Sequence, residues 1–216
     1  MTELREPTER AYHHGNLRSD LLDRAWDAVD RGGVESLSLR GLARDAGVSH
    51  GASARHFRDR QALLDALAIT GFDRLNEALA DAVSGAGPAA APDASPGADA
   101  FEARLRAAGL AYIGFAVAHP AILDLMYSAK HHPAASAELV ELGHAGMSAL
   151  VGLLADAQAQ GAVRDGDAAR HALVAFAAVH GVATLATDDL LDGVDWRDAA
   201  NETISFVWRG LASPAA

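Results

Sequence analysis

Residues 36–64 constrain the fold of this chain more than any other part of the sequence. They read SLSLRGLARDAGVSHGASARHFRDRQALL. Ser38 and Ser49 stand where N-cap residues are preferred, because a serine oxygen accepts hydrogen bonds from the free N–H groups of a first helical turn. Gly47 lies between them, and glycine tolerates the left-handed conformation that ends a helix. The pattern predicts two short helices joined by a tight turn, then a longer helix capped by Asp59.

The second short helix has the composition of a surface that contacts DNA. Its residues are small or polar, and small side chains let a helix lie close to base edges. Arginines flank it and can contact phosphates. Two short helices joined by a glycine turn form a helix-turn-helix, whose second helix enters the major groove. The alternative is a plain helical hairpin with a solvated polar face. The predicted DNA-binding residues are Ser38, Arg40, Ser49, His50, Gly51, Ala52, Ser53, Arg55, His56 and Arg60.

About the first 70 residues resemble the DNA-binding domain of the tetracycline-repressor (TetR) family of bacterial transcriptional regulators. The similar segments are residues 12–18 (YHHGNLR), residues 46–49 (AGVS), the pair His56-Phe57, and Arg60 with Leu63-Leu64. The family usually has a tyrosine two residues before the His-Phe pair, where it touches the DNA backbone. Ala54 stands there in this chain, so the resemblance implies that one phosphate contact is missing.

The charge of the chain is distributed unevenly along the sequence. The formal net charge is −11, yet residues 1–60 hold ten arginines and ten acidic residues and are formally neutral. Residues 61–216 hold eight basic and nineteen acidic residues. An acidic body repels DNA and leaves the N-terminal part as the attractive face. We therefore expect moderate, salt-dependent binding to double-stranded DNA.

Several classes of function receive no support from the sequence. There is no cysteine, so no disulfide, thiolate zinc site or thiol nucleophile can form. We expect no catalytic residue and no cofactor, since a phosphate-binding loop, a nucleophile elbow and a His-Glu-x-x-His motif are all missing. No metal site is expected either, because the rings of His131 and His132 should diverge and the acidic run near residues 188–195 fits a solvated loop. No apolar run reaches 18 residues and no leader is evident, which predicts a cytoplasmic protein without membrane spans.

Hydrophobic periodicity predicts an all-α fold of two domains. The first, residues 1–62, is a three-helix head with a flexible arm at residues 1–14. The second, residues 63–216, is helical and contains a flexible Pro- and Gly-rich loop at residues 84–99. Besides the two helices of the motif, the predicted helices are 16–31, 60–83, 100–118, 121–128, 134–160, 167–190 and 196–211.

The last two predicted helices are apolar over wide arcs. Such a helix is buried on two sides, once within its own subunit and once against a partner. The resemblance implies a homodimer in which two helices from each subunit form a four-helix interface. The alternative is a monomer with a large core. A helix-turn-helix that reads two half-sites favours the dimer.

A cluster of aromatic, methionine and histidine side chains predicts a ligand pocket in the second domain. The candidate lining residues are Tyr112, Phe115, His119, Leu123, Met126, Tyr127, Met147, Phe176 and His180. The run from Phe176 to His180-Gly181 resembles the Trp-x-x-x-His-Gly signature of one ligand-binding subclass of the family, with phenylalanine in place of tryptophan. The alternative is that these side chains fill the core, with His180 bonded to a carbonyl group.

Taken together, these patterns predict a homodimeric, ligand-responsive transcriptional repressor that reads an inverted-repeat operator. An unknown small-molecule effector would release DNA only if it binds the DNA-incompetent state more tightly. An activator is a less favoured variant of this hypothesis. The rival hypothesis is an all-α enzyme or small-molecule-binding protein whose helical hairpin is incidental.

Overall fold

The computed structural model describes residues 17–86 and 96–213, which are helical almost throughout. Within these ranges the helices are α1 Leu17–Gly32, α2 Leu39–Asp45, α3 His50–His56, α4 Arg60–Gly85, α5 Pro96–Ala118, α6 Pro120–Lys130, α7 Ala137–Ala159, α8 Ala168–Thr187 and α9 Trp196–Leu211. A short 3-10 turn lies at Val34–Ser36. The described residues hold no strand, only one bridge between Val163 and Ala212. The predicted all-α fold is confirmed.

The chain divides into two compact units between Leu63 and Leu64. The predicted domain boundary differs from this division by one residue. Helix α4 begins in the first unit and continues into the second. The predicted arm at residues 1–14, the matched residues 12–16 and residues 87–95 of the predicted loop lie outside the described residues.

Side-chain N-caps mark the first turns of α2, α3 and α4. Ser38 Oγ accepts from the Gly41 N–H at 3.0 Å, and Ser49 Oγ accepts from the Ala52 N–H at 3.2 Å. Asp59 Oδ1 accepts from the Ala62 N–H at 2.8 Å at the start of α4. Three predicted caps are therefore confirmed. The turn between α2 and α3 passes through Gly47 with φ at +67°, a conformation that glycine adopts without strain.

Two helix boundaries differ from the sequence prediction for identifiable reasons. Helix α5 begins at Pro96 rather than at residue 100, because proline is accepted in a first helical turn where no N–H bond is needed. Helix α7 begins at Ala137 rather than at residue 134, because the Ser136 side chain caps it through the Leu139 N–H. The segment between α4 and α5 is thus shorter than the predicted loop.

The first unit packs α1, α2 and α3 around one small apolar core. Leu21, Ala25 and Val29 line the buried face of α1, and Phe57 is buried beside α3. The guanidinium of Arg18 lies 5.5 Å from the centroid of the Phe57 ring, a cation–π contact. This core fixes the position of α3, which is too short to be stable alone.

Helix α8 lies at the centre of the second unit, in contact with α5, α7 and α9. Helices α5 and α9 approach closely at Gly109, where a Cβ atom would lie 2.7 Å from Ile204 Cδ1. The Arg106 guanidinium on α5 donates to Asn201 Oδ1 at 3.0 Å and to Ser205 Oγ at 3.1 Å, both on α9. Helices α5, α8 and α9 form the packed side of the unit.

Helices α7 and α8 are long and apolar enough, by length and composition, to cross a membrane. Helices α5 and α6 pass the same test as a pair but are bent by 102°. This finding differs from the sequence expectation, which considered only uninterrupted apolar runs. In the fold these apolar surfaces have other roles, since α7 lines a cavity and α8 forms part of the core.

Candidate functional site

Helix α3 presents a small, polar and basic surface to solvent. His50, Gly51, Arg55 and His56 are exposed on it, and Ala52 is half-buried. Of the remaining predicted DNA-binding residues, Ser38, Arg40, Ser49 and Arg60 are also exposed. The structure therefore brings nine of the ten candidates to the surface of one small unit.

Ser53 is the exception, and its predicted role in reading DNA is corrected by the structure. Its side chain is 0% exposed, and its Oγ donates to the His50 carbonyl oxygen at 2.9 Å. Ser53 follows Ser49 by one helical turn on the face that packs against the core. A small side chain is needed there for α3 to approach α1. Ser53 therefore supports α3 and does not face a base edge.

The arginines around the motif differ in whether their guanidinium groups already have partners within the protein. Arg60 Nη2 donates to the Val34 carbonyl oxygen at 2.7 Å, and Arg60 Nε donates to the Leu37 carbonyl oxygen at 3.3 Å. Its guanidinium thus ties α4 to the 3-10 turn, a role that the sequence did not reveal.

Two other arginines next to the motif are engaged by neighbouring carboxylates, and two are free. Arg58 pairs with Asp59 at 3.1 Å and Arg44 pairs with Asp45 at 3.5 Å. Arg40 and Arg55 have no ion pair within the described part of the chain. Their guanidinium groups are the ones available to phosphates.

A cavity of about 800 Å³ lies in the second unit, bounded by α4, α5, α6, α7 and α8. Its size falls in the range of small-molecule sites. Four predicted ligand-binding residues line it: Tyr112, Tyr127, Met147 and Phe176. The other large or polar lining residues are Phe72, Leu75, Asn76, Leu79, Val83, Ser84, Leu105, Lys130, His144, Leu150, Leu153, Asp156 and Val179.

The other five candidates do not line the cavity, which corrects the predicted set. Leu123 and Met126 are buried one helical turn before Tyr127 and Lys130 on the same side of α6, and Met126 Sδ lies 2.6 Å from where a Cβ of Gly71 would be. Phe115 and His119 pack on one another, with ring centroids 5.3 Å apart, one helical turn beyond Tyr112. The position of these residues along α5 and α6, and not the side of the helix on which they lie, decides these placements.

His180, the fifth, lies behind the cavity wall and is linked to it by hydrogen bonds. Its Nδ1 is 2.9 Å from Tyr112 Oη, which is 3.1 Å from Tyr127 Oη. The ring of Phe176 stacks on the His180 ring at a centroid distance of 5.3 Å. Tyr127 and Tyr112 thus connect the cavity to His180. The partner of His180 Nδ1 is the Tyr112 hydroxyl group and not a carbonyl group.

Burial sets the protonation of this chain of three groups. It raises the pKa of Tyr112 far above its usual value, with a further contribution from Tyr127, and burial also raises the pKa of Tyr127. Burial lowers the pKa of His180, partly opposed by the charge of Asp124. All three groups are therefore neutral near pH 7, which suits them to orient a polar group by hydrogen bonding.

Lys130 is one of the lining residues that the sequence does not predict, and it is the lysine among them. Its Nζ lies 5.0 Å from the Tyr127 ring centroid and 5.9 Å from that of Phe72, and it donates to the Gly143 carbonyl oxygen at 3.3 Å. Burial lowers its pKa. The one sequence signal that marks this position is that Lys130 is the single lysine in the chain.

An apolar face remains uncovered on α8 and α9. Leu173 and Val174 of α8 are 59% and 66% exposed, and Phe206 of α9 is 69% exposed. Val179 and Val182 face the other way and are buried within the unit. The wide apolar arcs seen in the sequence therefore have one packed side and one open side.

The described residues contain no group of three or more His, Cys, Asp or Glu side chains placed to hold a metal ion.

Two family models match this chain in separate segments. One, described as bacterial regulatory proteins of the tetR family, matches residues 21–67. The other, described as a tetracyclin repressor-like C-terminal domain, matches residues 105–206. The first segment contains α2 and α3, and the second contains most of the cavity wall. A search of curated proteins finds no match to the chain.

Solved structures agree with these matches. A protein of unknown function from Rhodococcus sp. RHA1 is 49% identical, with a TM-score of 0.85 over 95% of this chain and 100% of that one. A TetR family transcription regulator from Marinobacter aquaeolei VT8 is 15% identical, with a TM-score of 0.67 over 91% of this chain and 96% of that one. A bacterial regulatory protein in the tetR family from Rhodococcus RHA1 is 16% identical, with a TM-score of 0.67 over 91% and 97%.

The capped helix-turn-helix, the all-α second unit and the two family matches agree with one another, and the two distant structures share the fold. The protein belongs to the TetR family of bacterial regulatory proteins, whose members are DNA-binding transcription regulators.

Proposed function

We propose that this protein is a homodimeric, ligand-responsive transcriptional repressor. The observation that supports it most is the exposed surface of α3, with its small residues and Arg55, together with the exposed Arg40 of α2; neither arginine has an ion pair with another described residue. His50 and Gly51 begin the helix and are positioned to approach base edges. Arg40 and Arg55 supply the phosphate contacts. With Ala54 in place of the usual tyrosine, these two arginines carry more of the contact to the DNA backbone.

Dimerisation uses the open apolar face of α8 and α9. Burying Val174, Leu173 and Phe206 against a second copy removes a large apolar surface from water, which favours association. A two-fold dimer presents two α3 helices to two half-sites, so the operator is an inverted repeat. Half-site centres would then be about 34–36 Å apart, or a multiple of that distance.

The effector binds in the cavity and biases the position of the DNA-binding unit through α4. This helix starts at Arg60 in the first unit and lines the cavity from Phe72 to Ser84 in the second. A ligand that fits a conformation with α4 displaced releases the operator, because only differential affinity for two states can shift their populations. The Phe176 and His180 stack beside the cavity supports assignment to the Trp-x-x-x-His-Gly subclass.

Gel-shift titration with DNA from the region upstream of the gene tests the DNA-binding step. Arg55→Ala should weaken binding to specific and non-specific DNA alike and lower the salt slope by about one, because one phosphate contact is lost. Arg104→Ala, an exposed arginine on α5, is the matched control and should change neither quantity.

Two results would contradict this proposal. An unchanged salt slope in Arg55→Ala would remove α3 from the DNA interface. Ligand binding by a protein that shifts no DNA at low salt would favour the rival, a small-molecule-binding protein or enzyme with an incidental helical hairpin.

A further inference from the structure

The cavity contains one positive charge that the protein leaves unneutralised. Of the 18 Lys and Arg residues in the chain, 17 are arginines and only Lys130 is a lysine. An ammonium has three N–H donors, and the Gly143 carbonyl oxygen takes one of them in a long bond of 3.3 Å. No other acceptor and no acidic partner serves Lys130 within the described residues.

The fold makes specific room for this lysine. A Cβ atom at Gly143 would collide with Lys130 Cδ and would also lie 3.2 Å from Phe72 Cζ. Glycine at this position of α7 therefore lets the lysine stem cross the cavity wall. The ammonium ends among aromatic rings, where cation–π contacts compensate only part of its lost hydration.

The cavity beyond Lys130 is an elongated apolar wall. Leu75, Leu79 and Val83 follow one another along α4 at intervals of one helical turn, and Leu150 and Leu153 line it from α7. The rise along α4 from Phe72 to Val83 is roughly 16 Å. The charge thus lies at one end of a long, mainly apolar surface, whose other polar side chains are Asn76, Ser84, His144 and Asp156.

We propose that the cavity binds a single-chain amphiphile whose carboxylate pairs with Lys130 and whose unbranched apolar chain lies along α4 and α7. This inference rests on the proposed function, since it names the chemical class of the effector.

Other ligand classes fit the same residues less well. A cation would be repelled by Lys130, and a neutral alcohol would leave the ammonium without a counter-charge in a site of reduced polarity. A dicarboxylate would place its second charge among leucine side chains and toward the Asp156 carboxylate, which is costly because no cation compensates it there. A carboxylate at one end only satisfies both the ammonium donors and the apolar wall.

Calorimetric titration of the full chain with decanoate and 1-decanol, both below their aggregation limits, tests the head group. Decanoate should bind at least tenfold more tightly than 1-decanol, the factor expected of a charge-assisted hydrogen bond. Lys130→Met, which keeps the length of the stem, should remove this preference and leave 1-decanol binding unchanged. Lys130→Arg should retain the preference, and it shows whether the site tolerates substitution.

A second measurement uses the single lysine directly. Reductive methylation with ¹³C keeps the charge and labels Lys130 and the N-terminal amine only. Decanoate should shift the Lys130 resonance, and 1-decanol should not. Shortening the acid to octanoate should weaken binding by about fourfold per methylene removed, because each buried methylene contributes a constant increment.

The outcomes separate this inference from the proposed function. Equal affinity for the acid and the alcohol, or binding of neither, would overturn the carboxylate assignment, even if the protein shifts its operator normally. A protein that prefers decanoate but shifts no DNA would keep the assignment of the cavity and lose the regulatory role. An unmoved Lys130 resonance at saturating decanoate would also overturn the inference.

Discussion

The same substitution, methionine to alanine, at positions 126 and 147 distinguishes the packed core from the cavity wall by the stability that each variant loses. Met126 is 0% exposed and packs against Gly71 of α4, whereas Met147 is half-buried on the cavity wall. Met126→Ala removes buried atoms and leaves a new void, which should lower the free energy of unfolding by roughly 2–5 kcal/mol. In a protein of this size the loss corresponds to a decrease in Tm of roughly 4–20 °C.

Met147→Ala should cost much less, because its side chain already borders an open volume. Full burial of such a side chain contributes about 1.5–3 kcal/mol. A half-buried one that leaves no additional void should therefore contribute about 1 kcal/mol. The expected decrease in Tm is below about 4 °C. The substitution should instead change the affinity for cavity ligands.

A double substitution checks that close packing at Gly71 is the cause of the Met126 effect. In the native protein Gly71→Ala would place its Cβ 2.6 Å from Met126 Sδ and 2.7 Å from its Cγ. In the Met126→Ala background the added methyl group enters the vacated space. The double variant should therefore be more stable than the sum of the two single effects predicts.

Thermal and urea unfolding of the wild-type protein and the four variants, followed by circular dichroism, would measure these differences. Equal losses for Met126→Ala and Met147→Ala would refute the assignment of one to the core and the other to the cavity. Strict additivity of Gly71→Ala and Met126→Ala would refute the proposed contact between these residues.

Three further predictions concern other parts of the molecule. Ser53→Leu should unfold the first unit, since Ser53 is 0% exposed and a larger side chain does not fit there; a well-folded variant with a native Tm would contradict this. Val174→Asp should convert a dimer to a monomer in light scattering, because an unpaired charge in an apolar interface is costly, and a dimer mass would show that another surface is used. Burial lowers the pKa of His180 in the folded protein below its ordinary 6.5. At a pH between the folded pKa and 6.5, the unfolded chain therefore binds more protons than the folded protein. Stability should therefore be full above about pH 6.5 and decrease as the pH falls below it, and this decrease should be smaller in His180→Gln by urea titration at several pH values.

The local part of the first unit could be predicted because its signals are short-range. The caps at Ser38, Ser49 and Asp59 act within one helical turn, so sequence spacing alone determines their hydrogen bonds. The burial of Ser53 could not be predicted in the same way. A serine in a polar run has no local feature that distinguishes an exposed residue from one packed against a neighbouring helix. The same holds for Arg60, whose carbonyl partners lie more than 20 residues away.

The cavity was predicted only in part because its lining comes from five helices. Tyr112, Tyr127 and Phe176 were found from their residue types, which suit a binding site. Met126 and Leu123 have equally suitable side chains and lie on the same side of α6 as Tyr127, but they come one helical turn earlier, where close packing such as that of Met126 against Gly71 buries them. Lys130 was missed because a single charge between apolar helices is ordinarily solvated. Its position in the cavity wall depends on the contact with Gly143 of α7, which only the three-dimensional structure shows.

Helix α7 has a consequence for the lifetime of the protein in the cell. Only three of its residues, Leu139, Leu154 and Ala157, are buried, so much of its apolar surface is not covered by the described part of the chain. Segments with few buried contacts open locally at a lower free energy than the whole fold, and proteases cut such open segments. Occupancy at about a hundred times Kd would add about 2.7 kcal/mol to the stability of the bound form. Filling the cavity should therefore slow degradation, and the amount of regulator should increase with the concentration of its effector.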